Sequence, residues 1–133
     1  MNISEFQAQI TSELKIDKTK LDFCSAENPI LIQKYIDFWL RESKKLNRME
    51  AELRILQGQK VIYYKNDYNM IPENNKELDF LMNGDAEISK KIEELNNQSV
   101  LVKYLYETIQ NFRDRGWSIK NMISFLQFTE ATA

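Results

Sequence analysis

The chain has 133 residues, the usual size of one domain. Apolar residues make up 43% and charged residues 29% of it, which is the composition of a folded globular protein and excludes a largely disordered one. The formal net charge is -2, and the chain has no His and one Cys, which excludes His-based catalysis, His metal ligands, internal disulfides and multi-Cys zinc sites.

The first predicted helix begins after Asn2 or Ser4. Its apolar stripe at helical spacing consists of Ile3, Phe6, Ile10 and Leu14. Residues 16–27 are predicted to form a connector, because their side chains favour turns and caps. Asn28 followed by Pro29 predicts the start of a long helix, since Asn can cap free amides and Pro has no amide to leave unpaired.

This long helix is predicted to extend to Lys65. One face carries a seam of apolar residues at steps of three, four or seven: Tyr35, Trp39, Leu46, Met49, Leu53, Leu56 and Tyr63. Two positions in the same register are polar, Glu42 and Lys60, so the seam is not an uninterrupted zipper. Residues 66–84 contain Pro72 and several Asn residues, and they are predicted to form the main turn region.

A second long helix is predicted to follow Gly84 and Asp85, which resemble a C-cap and an N-cap. Its apolar seam consists of Ile88, Ile92, Leu95, Val102, Ile109 and Phe112. Because two such seams would bury each other, the sequence predicts an all-α fold with a long antiparallel helical hairpin over residues 28–115. A short helix and connector over residues 1–27 would precede it, within a single domain.

Gly116 is predicted to break the second helix, so that residues 116–133 form a separate, apolar C-terminal helix. Its apolar side chains occupy more than one face and exceed what a lone helix on a hairpin can bury. They are Trp117, Ile119, Met122, Ile123, Phe125, Leu126 and Phe128. We therefore expect this segment to mediate self-association, with help from apolar residues on the outside of the first long helix.

Charge is segregated along the chain. Residues 34–65 carry 8 basic and 4 acidic groups, whereas residues 66–100 carry 3 and 8. The heptad register places a basic stripe on the outer faces of the first long helix: Lys34, Arg41, Lys44, Arg48, Arg54 and Lys65. Regularly spaced cations suit a phosphate backbone, although a solvated face with pairs such as Glu50 and Arg54 is the alternative.

Cations and aromatic rings are combined near the end of this helix. Lys60 and Lys65 flank Tyr63 and Tyr64, and such mixtures bind single strands because bases stack on the rings while phosphates pair with the cations. Tyr63 could equally complete the apolar seam, so Tyr64 is the better candidate for stacking.

Enzymatic chemistry is not expected. The chain contains no P-loop, Gly-rich nucleotide turn or nucleophile elbow, and Glu93 and Glu94 lack the spacing of a metal site. We expect no cofactor and no metal. With no apolar run long enough to span a bilayer and no signal peptide, we expect a soluble cytoplasmic protein.

A series of short motifs occurs in a fixed order over most of the chain. They are Ile16-Asp17-x-Thr19-Lys20-Leu21, Asn28 with Lys34, Lys44, Arg48-x-Glu50-Ala51, Lys60 before Tyr63-Tyr64, and Arg115-Gly116-Trp117-x-Ile119-Lys120. In order and spacing they resemble the UvsY family, the recombination mediator proteins of T4-like phages. In that family a Lys-x-Arg pair lies ahead of the tyrosines; here Lys60 corresponds to its second member, and Gly58 stands in place of its first.

This resemblance implies a protein of DNA recombination, repair and replication that acts in the cytoplasm of the infected bacterial host. It implies single-stranded DNA binding, a ring-like homo-oligomer of six or seven subunits assembled through the C-terminal region, and contacts with the phage recombinase and single-strand-binding protein. The function it implies is to load the recombinase by displacing the single-strand-binding protein. The alternative from the residues alone is a helical adaptor whose basic stripe binds an acidic protein partner.

Overall fold

The computed structural model describes residues 1–68 and 70–132, and the regular secondary structure of that part consists of α-helices. The helices are α1 (Ile3–Leu14), α2 (Leu21–Asn66), α3 (Asn75–Asn83) and α4 (Ala86–Thr132). The chain divides into two compact units: unit 1 contains Met1–Arg41 and the chain from Leu101 onward, and unit 2 contains Glu42–Val100. The all-α prediction is confirmed, whereas the single domain stays a prediction.

Both units contain α2 and α4 packed against each other in antiparallel directions. In unit 1, Tyr35 stacks on Phe112, with ring centroids 5.1 Å apart, and Trp39 approaches Tyr106. In unit 2, Glu42 of α2 is hydrogen-bonded to Gln98 of α4. Ion pairs join Glu52 to Lys91 and Lys60 to Glu87 between the same two helices. The predicted helical hairpin is therefore confirmed within each unit. No helix among the described residues is long and apolar enough to cross a membrane.

The start of α1 follows the local sequence. The Asn2 side chain accepts a hydrogen bond from the Glu5 amide, and the Glu5 carboxylate accepts one from the Asn2 amide. This reciprocal capping box satisfies two backbone donors that a helix N-terminus otherwise leaves free. Phe6 and Ile10 then carry the apolar stripe of α1 into the core of unit 1.

The predicted start of the long helix at Asn28 is wrong, because α2 begins at Leu21. Asp17 caps the preceding turn by accepting hydrogen bonds from the backbone amide and the hydroxyl of Thr19. Pro29 is therefore inside the helix. It is tolerated because Ser25, whose carbonyl would otherwise accept from position 29, lies on the exposed side where water can serve instead.

Asn28 does not act as a cap but joins α2 to α4 in unit 1. It is buried, and its side-chain amide donates to the Phe112 carbonyl at 2.8 Å. A Cβ atom at Gly116 would lie 2.9 Å from that amide nitrogen, so glycine permits the close approach of the two helices. The predicted break at Gly116 is wrong, because α4 continues through this position and no separate helix begins there.

Arg115 connects three segments of unit 1. Its buried guanidinium donates to Asn28 Oδ1 at 2.8 Å and to the carbonyls of Leu14 and Lys15 at 3.2 and 3.1 Å. It also pairs with the Glu27 carboxylate at 3.3 Å. The forked geometry of arginine thus holds the C-terminal end of α1 against both long helices.

In unit 2, polar residues occupy positions that the helical seam would fill with apolar ones. The Gln98 side-chain amide donates to the carboxylate and to the backbone carbonyl of Glu42, at 2.7 and 3.0 Å, and both residues are buried. Gly84 caps α3 and Asp85 caps α4, as their sequence predicts. The polar seam position at Glu42 is therefore satisfied by a partner on the facing helix.

Candidate nucleic-acid interface

Four of the predicted basic residues lie exposed on the part of α2 that belongs to unit 2. They are Lys44, Arg48, Arg54 and Lys65. Arg48 makes one long ion pair with Glu52, at 3.9 Å, and the other three make none with the described residues. Exposed cations with long side chains and little intramolecular compensation can pair with phosphates at small cost. We call these four residues the α2 cation stripe.

Lys34, which the sequence places on the outer face, is instead engaged within unit 1. Its Nζ lies 2.7 and 2.9 Å from the two carboxylate oxygens of Glu13. Although burial alone would raise the pKa of Glu13, the hydrogen bonds from Lys34 and other neighbours lower it below its ordinary value. Lys34 therefore anchors α1 to α2. Its charge is compensated by the Glu13 carboxylate. Arg41 is exposed and places its guanidinium carbon 4.8 Å from the centre of the Phe38 ring.

Lys60, which was expected to contact DNA, is largely buried and paired with acidic residues. Its side chain is 18% exposed, and its Nζ lies 3.2 Å from the carboxylates of both Asp85 and Glu87. Desolvation would lower the pKa of Lys60, but the hydrogen bonds to these two acids raise it. A phosphate at this position would have to replace at least one of the two carboxylates.

The exposure of the two adjacent tyrosines is the reverse of the predicted one. Tyr64 is only 8% exposed, and its hydroxyl donates to Asp85 at 2.6 Å, which raises the pKa of Tyr64 to about 12. Tyr63 is 42% exposed, and the Lys60 Nζ lies 5.5 Å from its ring centre. The choice of Tyr64 as the ring available for stacking is therefore wrong, because Asp85 at the start of α4 holds its hydroxyl inside unit 2.

Gly58 faces open space on the same stretch of helix. A Cβ atom there would meet no described residue within 4 Å. Nothing in unit 2 therefore requires glycine at this position, and a longer side chain would point into solvent.

Most of the predicted assembly residues are at the surface of unit 1. Trp117, Phe125 and Leu126 are exposed, and Met122 and Ile123 are half-buried. Ile119 is only 1% exposed, so its inclusion in an assembly surface is wrong. It is buried because α4 continues in register beyond Gly116, and position 119 lies on the same face as the buried Phe112.

The sequence did not predict that the polar residues Asn28, Thr108 and Arg115 are buried. A regular pattern could have revealed two of them, because the buried face of α4 in unit 1 follows alternating steps of four and three. This face comprises Leu101, Leu105, Thr108, Phe112, Arg115 and Ile119. The apolar residues predict the register, and the two polar positions within it then require buried hydrogen-bond partners.

The described structure is that of a helical protein with an exposed stripe of cations on one long helix. A family model described as "Recombination, repair and ssDNA binding protein UvsY" matches residues 9–132. The chain therefore belongs to the UvsY family of recombination, repair and single-stranded DNA-binding proteins. The resemblance noted in the sequence is confirmed.

Individual relatives agree with this assignment. The chain is 21% identical over 127 residues to the recombination protein uvsY of Enterobacteria phage T4, covering 92% of this chain and 93% of that protein. Crystal structures of the bacteriophage T4 recombination mediator protein UvsY match with TM-scores of 0.89 and 0.90 at 22% and 21% identity. The first match covers 97% of this chain and 99% of the other, and the second covers 98% of both. At these identities the structures confirm the fold.

Proposed function

We propose that this protein is a recombination mediator that binds single-stranded DNA and helps a recombinase to replace the single-strand-binding protein on it. The observation that carries the proposal is the α2 cation stripe in a member of a single-stranded DNA-binding family. Four cations on one helix match a ligand whose phosphates recur at short intervals.

DNA binding through this surface combines charge with stacking. Lys44, Arg48, Arg54 and Lys65 supply phosphate contacts, and the exposed ring of Tyr63 supplies a surface on which a base can stack. None of these contacts reads a base edge, so binding depends little on sequence. Lys60 contributes only when DNA displaces Asp85 or Glu87.

Self-association would strengthen this binding. The exposed apolar residues on α4, among them Trp117, Phe125 and Leu126, support a ring-like homo-oligomer in which each copy contributes one cation stripe. A chain with net charge -2 attracts DNA weakly on its own, and several stripes acting together overcome this by multivalency. The phage recombinase and single-strand-binding protein are the protein partners of this proposal, in the cytoplasm of the infected host.

Salt-dependent anisotropy with a labelled oligothymidine tests DNA binding. We expect the Lys44→Ser/Arg48→Ser variant to reduce the slope of log affinity against log salt by about 1.4 for each subunit that contacts the oligonucleotide, since each phosphate contact on a single strand contributes roughly 0.7. Lys18→Ser/Lys20→Ser removes the same charge from exposed positions outside α2 and serves as the matched control. Absence of binding at low salt, or equal slopes for both variants, would contradict the proposal.

The mediator step needs a separate assay. Single-stranded DNA is first coated with the phage single-strand-binding protein, and the recombinase is then added with or without this protein. We expect faster formation of the recombinase filament when this protein is present, and a smaller gain with the Lys44→Ser/Arg48→Ser variant. Filament formation at the same rate with and without the protein would exclude the mediator role while leaving DNA binding intact.

A further inference from the structure

A groove in unit 2 lies between α3 and the segment that precedes it. Its volume is about 670 Å³, and its apolar lining comes from Tyr68, Met70, Ile71, Pro72, Phe80 and Leu81. We call it the α3 groove. It lies on the acidic part of the chain and is lined by none of the residues of the α2 cation stripe.

Three apolar side chains of the α3 groove, Met70, Ile71 and Phe80, are exposed and do not serve the packing of α3. Leu78 is the buried residue of this helix, whereas Phe80 is 80% exposed. Two residues along a helix correspond to a rotation of about 200°, so the two side chains point to opposite sides. Met70 and Ile71 are also exposed, and together with Phe80 they form an apolar patch of the kind that marks interaction sites.

The charges at the groove select the kind of occupant. Glu77 and Asp79 line it, and Lys76 is the only cation in its described lining. The Glu77 carboxylate accepts a hydrogen bond from the Glu73 amide at 2.8 Å, and Glu73 adds another exposed acid nearby. A phosphate backbone would be repelled here, whereas Lys or Arg side chains would be attracted.

The apolar C-terminal part of α4 from a second copy of this chain fits the groove poorly. The exposed apolar stretch of α4 after Gly116 carries one basic residue, Lys120, and one acidic residue, Glu130. It therefore offers apolar side chains without the excess of positive charge that the acidic lining calls for. Charge complementarity favours an occupant whose apolar side chains are flanked by cations.

We propose that the α3 groove is a docking site for a partner protein, which inserts apolar side chains from a segment whose edges carry Lys or Arg. The site rests on the proposed function in so far as a mediator must hold a protein partner while it holds DNA. The groove and the α2 cation stripe use different residues of unit 2, so the protein can bind both ligands at once. Apolar insertion supplies affinity, and the acidic lining excludes DNA and acidic segments.

Two labelled synthetic helical peptides of about 18 residues serve as probes. They share one face of Leu and Phe, and the remaining positions are mainly Lys in one peptide and mainly Glu in the other. Fluorescence anisotropy with the full-length protein should show binding of the Lys peptide and at least tenfold weaker binding of the Glu peptide. Equal affinity for both peptides would overturn the proposal, because the acidic lining would then have no selective effect.

Three variants locate the binding. Ile71→Ser/Phe80→Ser should weaken the Lys peptide at least tenfold, and Asp79→Lys should weaken it several-fold. Ile62→Ser changes an equally exposed apolar residue of unit 2 outside the groove and should leave affinity unchanged. Circular dichroism confirms that each variant is folded. Unchanged peptide binding in Ile71→Ser/Phe80→Ser would overturn the proposal.

Two further measurements on the same proteins separate the competing outcomes. Light scattering should give the same mass for wild type and Ile71→Ser/Phe80→Ser; a lower mass for the variant would show that the groove is an interface between copies and would overturn the proposal. Oligothymidine binding should also be the same for both proteins. Loss of DNA binding only in the groove variant would overturn the proposal, whereas absence of DNA binding in every protein would refute the proposed function and not the groove.

Discussion

Arg115→Met should destabilise unit 1 by about 2–4 kcal/mol. The side chain is buried and donates to Asn28 Oδ1 and to the carbonyls of Leu14 and Lys15. Lys15 is exposed, so water can replace the donor lost there, whereas Leu14 is half-buried. Asn28 is buried and would keep an unpaired oxygen at a cost of about 1–3 kcal/mol. Loosening of α1 accounts for the remainder.

Urea unfolding and thermal melting followed by circular dichroism measure this loss. For a chain of this size we expect a decrease in Tm of roughly 10 °C. Arg113→Met changes an exposed arginine on the same helix and should lie within about 0.5 kcal/mol of wild type. Hydrogen exchange should also become faster in α1 for Arg115→Met. If the two arginine variants are equally stable, the buried guanidinium does not hold these segments together, and the reasoning is refuted.

Three other variants test other parts of the structure. Gly116→Ala should lower Tm, because the new Cβ would lie 2.9 Å from Asn28 Nδ2. This clash should outweigh the gain of about 1 kcal/mol in helix propensity, and melting at or above the wild-type temperature would contradict the prediction. Gly58→Lys should raise stability by up to about 1 kcal/mol and tighten oligothymidine binding, since its side chain enters open space; weaker binding would count against the α2 surface. Burial would raise the pKa of Asp85, but hydrogen bonds from Tyr64, Ile88 and Lys60 lower it overall. The ionised carboxylate therefore stabilises the folded protein above about pH 4, and this contribution is lost as pH falls through the folded pKa of Asp85. The melting temperature should depend less on pH in Asp85→Asn than in wild type.

The sequence by itself determined the features that depend on local spacing. Helical periodicity predicted an all-α chain and its antiparallel hairpin, and the residue types at Gly84 and Asp85 predicted two helix ends. Asn2, the N-cap of α1, was one of two predicted starts of that helix. The outward position of the α2 cation stripe also followed from the heptad register, because residues on opposite faces of a helix are separated by a fixed rotation.

Only the tertiary structure decided what the ambiguous residues do. Asn28 and Gly116 have the types found at helix ends, yet each lies inside a helix, and the two meet across unit 1. Arg115 is 87 residues from Asn28 in sequence, so no local pattern specifies their hydrogen bond. The same holds for Tyr64, whose burial is decided by Asp85 on another helix. Periodicity fixes which face a residue occupies, whereas the partner that meets that face depends on how distant segments pack.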